Sequence, residues 1–96
     1  MKATRVIDFY HCKNPGDYYI SEVNEHDHGC RQLSFFCPCG CGIYAGIRIH
    51  DDLQQKDNPG TWAWNGNWDC PTATPSILIN GGHWHGYLTN GEFVTA

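Results

Sequence analysis

The sequence is short of positive charge, has no long apolar run and carries no convincing helical pattern, and each gap removes a class of protein. Six Lys and Arg stand against ten acids for a formal charge of −4. The basic residues form no stripe that could track phosphates, so direct nucleic-acid binding is disfavoured. The acids are scattered as well, which gives little support to an acidic nucleic-acid mimic. Pro and Gly break every apolar stretch before it reaches the length of a membrane span. The segment Met1 to Asp8 lacks the apolar core of a secretory signal, which points to a cytoplasmic protein. A Gly-x-Ser-x-Gly elbow, a phosphate-binding loop and a nucleotide fingerprint are all missing.

What is present is an excess of metal-binding atoms. Ninety-six residues suffice for one domain, spanning 1–96, with a core too small to be generous, and the chain carries six cysteines and six histidines. Small cores are commonly reinforced by disulfides or a metal. In a reducing compartment closely spaced cysteines are more often ligands than disulfide partners.

Short runs of aromatic and β-branched residues, separated by Gly, Pro, Asn and Asp, recur from end to end and predict an all-β domain, a small antiparallel sandwich or sheet. Strands are expected near Arg5 to Tyr10, Tyr18 to Val23, Gln32 to Phe36, Ile43 to His50, Thr61 to Trp64, Ser76 to Ile79, His83 to Thr89 and Glu92 to Thr95. In Ile43 to His50 the residues Ile43, Ala45, Ile47 and Ile49 alternate with Tyr44, Gly46, Arg48 and His50, so one face should be buried. Asn90-Gly91 lies between two such runs and predicts a type I′ hairpin turn, because both residues tolerate positive φ. Residues Glu22 to Gly29 and Asp51 to Pro59 read as loops, the second with a short helical turn at Asp52 to Lys56.

The most specific segment is Cys37-Pro38-Cys39-Gly40-Cys41-Gly42. A turn punctuated by Gly and Pro lets several sulfurs converge on one cation. The cysteines are one residue apart rather than the two of the usual knuckle, so either two or three of them ligate. His83 and His85 supply the other half of the expected site, since residues two apart on a strand share a face. The alternative is that one imidazole ligates and the other only packs or hydrogen-bonds. A Cys2His2 or Cys3His set fills four positions and describes a structural zinc ion. Cys70 is an alternate ligand, Cys12 and Cys30 read as ordinary half-buried thiols, and His26 and His28 read as solvated loop residues.

The order Cys37-Pro38-Cys39-Gly40-Cys41-Gly42, Trp62-Ala63-Trp64-Asn65-Gly66-Asn67, Pro75-Ser76-Ile77 and His83-Trp84-His85-Gly86-Tyr87-Leu88 resembles a family of small uncharacterised proteins common in tailed bacteriophages and bacteria. Relatives often carry a Cys shortly before the final His, where this chain has His83. Some of them bear the label ammonia monooxygenase, which resembles a membrane-bound copper enzyme and finds no support in a chain without a span. Thiolates beside imidazoles favour zinc over copper.

The deaminase signature, His-x-Glu with Pro-Cys-x-x-Cys, fails by one residue at Pro38-Cys39-Gly40-Cys41 and has no His-x-Glu. Glu92 would lie about 13 Å along the strand from His85, too far to serve it. The reading favoured is therefore a zinc-stapled β domain that binds a protein, a host factor in the host cytoplasm if the chain is phage-encoded. Trp62, Trp64 and Trp68 are its candidate contact residues wherever they are exposed. The rival is a small zinc or copper enzyme using His83, His85 and a cysteine.

Overall fold

Alternating apolar residues give the described part of this chain eight strands, and the strands follow one another around a single curled sheet. The computed structural model describes residues 1–25, 29–50, 60–79 and 82–96. Its strands are β1 (Thr4–Arg5), β2 (Asp17–Ile20), β3 (Arg31–Phe36), β4 (Tyr44–His50), β5 (Thr61–Trp64), β6 (Ala73–Ile79), β7 (Trp84–Thr89) and β8 (Glu92–Thr95). They pair in sequence order from β1 to β8. The all-β expectation holds, as one sheet rather than two packed layers. Among the described residues helix is confined to a short 3₁₀ turn at Phe9–His11.

Two pairings are parallel, β1 with β2 and β4 with β5. A parallel neighbour needs a longer connection than a hairpin. Between β1 and β2 the chain uses Val6 to Gly16, and Asp8 caps the 3₁₀ turn there by accepting the His11 backbone N–H at 3.1 Å. Such a local side-chain bond competes with strand formation, which is why the segment expected as strand from Arg5 to Tyr10 keeps only its first residue in the sheet. The helical turn expected at Asp52 to Lys56 lies outside the described residues, as do His26 and His28.

The two ends of the sheet meet along the N-terminal segment. Ala3 donates to the Gly91 carbonyl and Phe93 to the Met1 carbonyl, both at 2.8 Å, while Thr4 and Arg5 pair with Asp17 and Tyr18 on the other side. Closure of this kind leaves fewer bare strand edges. Inside the curl lie Tyr18, Leu33, Phe35, Ile49, Trp64, Ile77, Leu88 and Phe93, each under 2 % exposed. Ile47 and Ile49 are buried as the alternation of β4 requires, whereas Ile43 stands before the strand and is exposed. Asn90 and Gly91 have φ of 49° and 74°, and Thr89 pairs with Glu92 around them. Among the described residues no helix is long and apolar enough to cross a membrane.

Candidate metal centre and serine–histidine pair

The Cys-rich segment forms the turn between β3 and β4. Cys37 donates its N–H to the Ile43 carbonyl at 2.9 Å, and Gly40 donates back to the Cys37 carbonyl at 3.1 Å. Gly40 and Gly42 take φ of 85° and 84°, the left-handed region that a side chain would disfavour. The chain thus doubles back tightly enough to bring Cys37, Cys39 and Cys41 together. His83 comes from the turn between β6 and β7, where its N–H bonds the Ile79 carbonyl at 2.8 Å.

These two turns meet. Cys39 Sγ lies 3.3 Å from Cys37 Sγ and 3.3 Å from His83 Nε2, and Cys41 Sγ lies 3.1 Å from the same nitrogen. All four ligand atoms fall within 4.8 Å of one another. Sulfurs at about 2.3 Å and a nitrogen at about 2.0 Å from a common centre would be separated by comparable distances, so the set fits a tetrahedral metal ion. Cys37 is buried and the other three are exposed. Burial pushes the Cys37 thiol up to about 12, while hydrogen bonds from Cys37 and Cys41 hold the Cys39 thiol below its ordinary value. Of these two thiols, the one at the exposed rim gives up its proton more readily.

Of the five candidate ligands, four converge and His85 does not. It sits on β7, paired with Leu78 of β6, and its Nε2 lies 3.1 Å from Ser76 Oγ. The strand pattern explains the divergence. His85 belongs to the regular alternation in which Trp84, Gly86 and Leu88 point inward while His85 and Tyr87 face out, whereas His83 precedes the strand and follows the turn. A Cβ at Gly86 would collide with the Val94 carbonyl oxygen and the Trp84 ring, so this glycine lets β7 lie close to β8.

Ser76 owes its position to an irregularity. The β6 to β7 register shifts between Ala73 and Ile77, the extra length of a bulge, which re-aims side chains. The Thr74-Pro75 peptide within it is cis. The Trp62 indole donates to the Ser76 carbonyl at 3.2 Å and holds this bulge from the β5 side. Among the described residues no carboxylate is paired with His85. Ser76 was not singled out as a site residue by sequence reasoning, because its signal is diagonal: a Ser two positions before the residue that faces His85 across a hairpin.

The other candidates are elsewhere. Cys12 and Cys30 are buried and Cys70 is exposed away from the cluster, and none of the six cysteines forms a disulfide. Trp64 is 1 % exposed and so has no surface to offer a partner. Trp62 and Trp68 pack partly buried against the core, and the Trp68 ring carries the guanidinium groups of Arg5 and Arg31 at 5.1 and 5.0 Å.

No curated protein and no solved structure matches the chain. A family model described as "Bacterial ubiquitination-like system serine protease (BubE)" matches residues 5–96. The chain belongs to that family, which bears out the bacterial part of the resemblance and does not speak to phages.

Proposed function

We propose that this member of the bacterial ubiquitination-like system serine protease family is a serine hydrolase, with Ser76 as nucleophile and His85 as general base, built on a β framework clamped by zinc. The observation that carries the reading is the 3.1 Å contact between His85 Nε2 and Ser76 Oγ. The family's description as a serine protease supports the same chemistry.

A serine hydroxyl is a weak nucleophile until a neighbouring base can take its proton. In the proposed cycle Ser76 Oγ bonds to the scissile carbonyl carbon as His85 Nε2 accepts the hydroxyl proton. His85 then gives that proton to the leaving nitrogen as the C–N bond breaks, which leaves the acyl group on Ser76. Water attacks this ester, losing a proton to His85, and the acid departs as the proton returns to Ser76. The family's description supports a substrate from a ubiquitination-like system, so the protein partner expected from the sequence is, in this reading, the substrate itself.

Three sulfurs and one imidazole suit zinc. Four protein ligands close the coordination shell, and the ion's contribution would be structural, joining the β3–β4 turn to the β6–β7 turn. His85 is thereby free for the hydroxyl, which is why the earlier alternative of a metalloenzyme using both histidines is not retained.

A fluorophosphonate probe, which modifies activated serines, tests the reading. Ser76 should be labelled in the wild-type protein, and labelling should vanish in Ser76→Ala and fall at least about a hundredfold in His85→Ala. A wild-type protein that retains its fold and is not labelled at Ser76 overturns the proposal.

A further inference from the structure

β5 stops short of the two strands it separates. It pairs with β4 only from Arg48 to His50 and with β6 only at Ala73 and Thr74. Both outer strands run on past its first residue, β4 as Tyr44 to Ile47 and β6 as Ile77 to Ile79. The interval between them is a cavity of about 330 Å³ lined by these residues, with Phe35 at its floor and Trp62 at the β5 end. Away from β5, β4 begins after the Cys-rich turn and β6 ends before His83.

The walls of this slot present main-chain groups. The Ile43 carbonyl is bonded on the β3 side by Cys37, and main-chain groups alternate sides along a strand, so Tyr44 and Gly46 direct theirs into the slot. The Ser76 carbonyl is bonded on the β5 side by Trp62, so Leu78, two residues on, faces the slot from β6. Among the described residues no strand pairs with either wall here. The floor is apolar, formed by the buried Phe35, Ile47, Ile77 and Ile79. Ser76, with His85 behind it, stands where the slot meets β5.

Resting on the hydrolase reading, we infer that the slot binds the acyl side of the substrate as an extended strand. It continues the line of β5, parallel to β4 and antiparallel to β6, and delivers its scissile carbonyl to Ser76. Strand addition of this kind draws affinity from main-chain bonds and selectivity from alternate side chains. The substrate is an unstructured peptide tail of about three or four residues at about 3.3 Å each, with one apolar side chain directed to the floor. The leaving side cannot continue in the sheet because β5 occupies it. It must exit outward at Ser76, where a folded partner can be attached.

The test reads binding separately from catalysis. Isotope-labelled Ser76→Ala protein is titrated with the free acid acetyl-Ala-Leu-Ala-Gly and with the same peptide methylated on its leucine nitrogen. The plain peptide should shift the amide resonances of Gly46 and Leu78, and the methylated one should bind at least about tenfold more weakly, the effect of one lost hydrogen bond at the upper end of its usual range. Ala45→Phe in the same background should abolish those shifts by filling the floor, and fluorophosphonate labelling of Ser76 in the unchanged chain reads the dyad separately. Equal binding of the two peptides, or shifts confined elsewhere, overturns the slot and leaves the dyad standing. Loss of labelling with the peptide shifts intact overturns the dyad and leaves the slot.

Discussion

His83 and His85 are two residues apart and serve two different regions. His83 lies in a turn, exposed, against the sulfurs of a second turn. His85 lies in a regular strand, against a hydroxyl on the neighbouring strand. The first region is made by turn chemistry, glycines at positive φ and cysteines at close spacing, and its atoms converge even though the surrounding strands do not pair there. The second is made by sheet register alone. The lesson is that a cluster held by loops is the one that an ion would have to keep, whereas a pair held by a ladder rests on the ladder, so the pair should be breakable without the cluster.

Removing the metal should have the largest effect. Binding energies for structural zinc are on the order of 10 kcal/mol or more, comparable with the whole stability of a domain. A chelator, or Cys39→Ser with Cys41→Ser, should unfold the protein or lower its melting by tens of degrees, read by circular dichroism with zinc quantified in parallel. An unchanged melting curve would mean that the convergence of Cys37, Cys39, Cys41 and His83 is packing alone. His83→Gln should weaken zinc retention, and at saturating zinc it should still label at Ser76.

Next in size are changes at the pair. Ser76→Ala should remove roughly three orders of magnitude or more of hydrolysis with melting nearly unchanged, since a half-exposed hydroxyl carries little stability. His85→Gln should match it in activity and keep its full complement of zinc. If His85→Gln instead released the metal, the division of labour between the two histidines would be wrong.

Gly86→Ala sharpens the comparison further. Its methyl would press on the Val94 carbonyl and the Trp84 ring, overpacking that costs about 1–3 kcal/mol. The displaced strand carries His85, so labelling of Ser76 should fall more than zinc content does.

How much of this was legible beforehand follows from which signals are local. Seven of the eight strands could be read because β-branched runs and turn residues alternate within a few positions of each other, and Asn90-Gly91 set one hairpin register outright. The cysteine cluster could be read for the same reason. Which of the two histidines joins the cysteines stays open in the sequence, because alternation gives the face of a side chain and not its height: strand spacing alone puts His83 and His85 on one face, but the strand begins at Trp84. Ser76 was invisible in that role because its approach to His85 depends on the shift in register between Ala73 and Ile77, which no local pattern announces. The curl of the sheet was equally hidden, since it rests on Met1 to Ala3 meeting Gly91 to Phe93 from opposite ends of the chain.

The smallest expected effect belongs to neither region and so serves as their control. Tyr18, fully buried in the core, donates its hydroxyl to the Trp68 carbonyl at 2.6 Å, and burial pushes its pKa up to about 12. A folded-state value above the unfolded one, about 10, means that the stability is whole below pH 10 and is lost as pH rises toward 12. Tyr18→Phe removes both the bond and that titration. It should cost about 1 kcal/mol at neutral pH and flatten the alkaline limb of the melting profile, with zinc content and Ser76 labelling unchanged. If labelling or zinc content also fell, the core would be transmitting strain to the cluster or to the pair, and their independence would be lost.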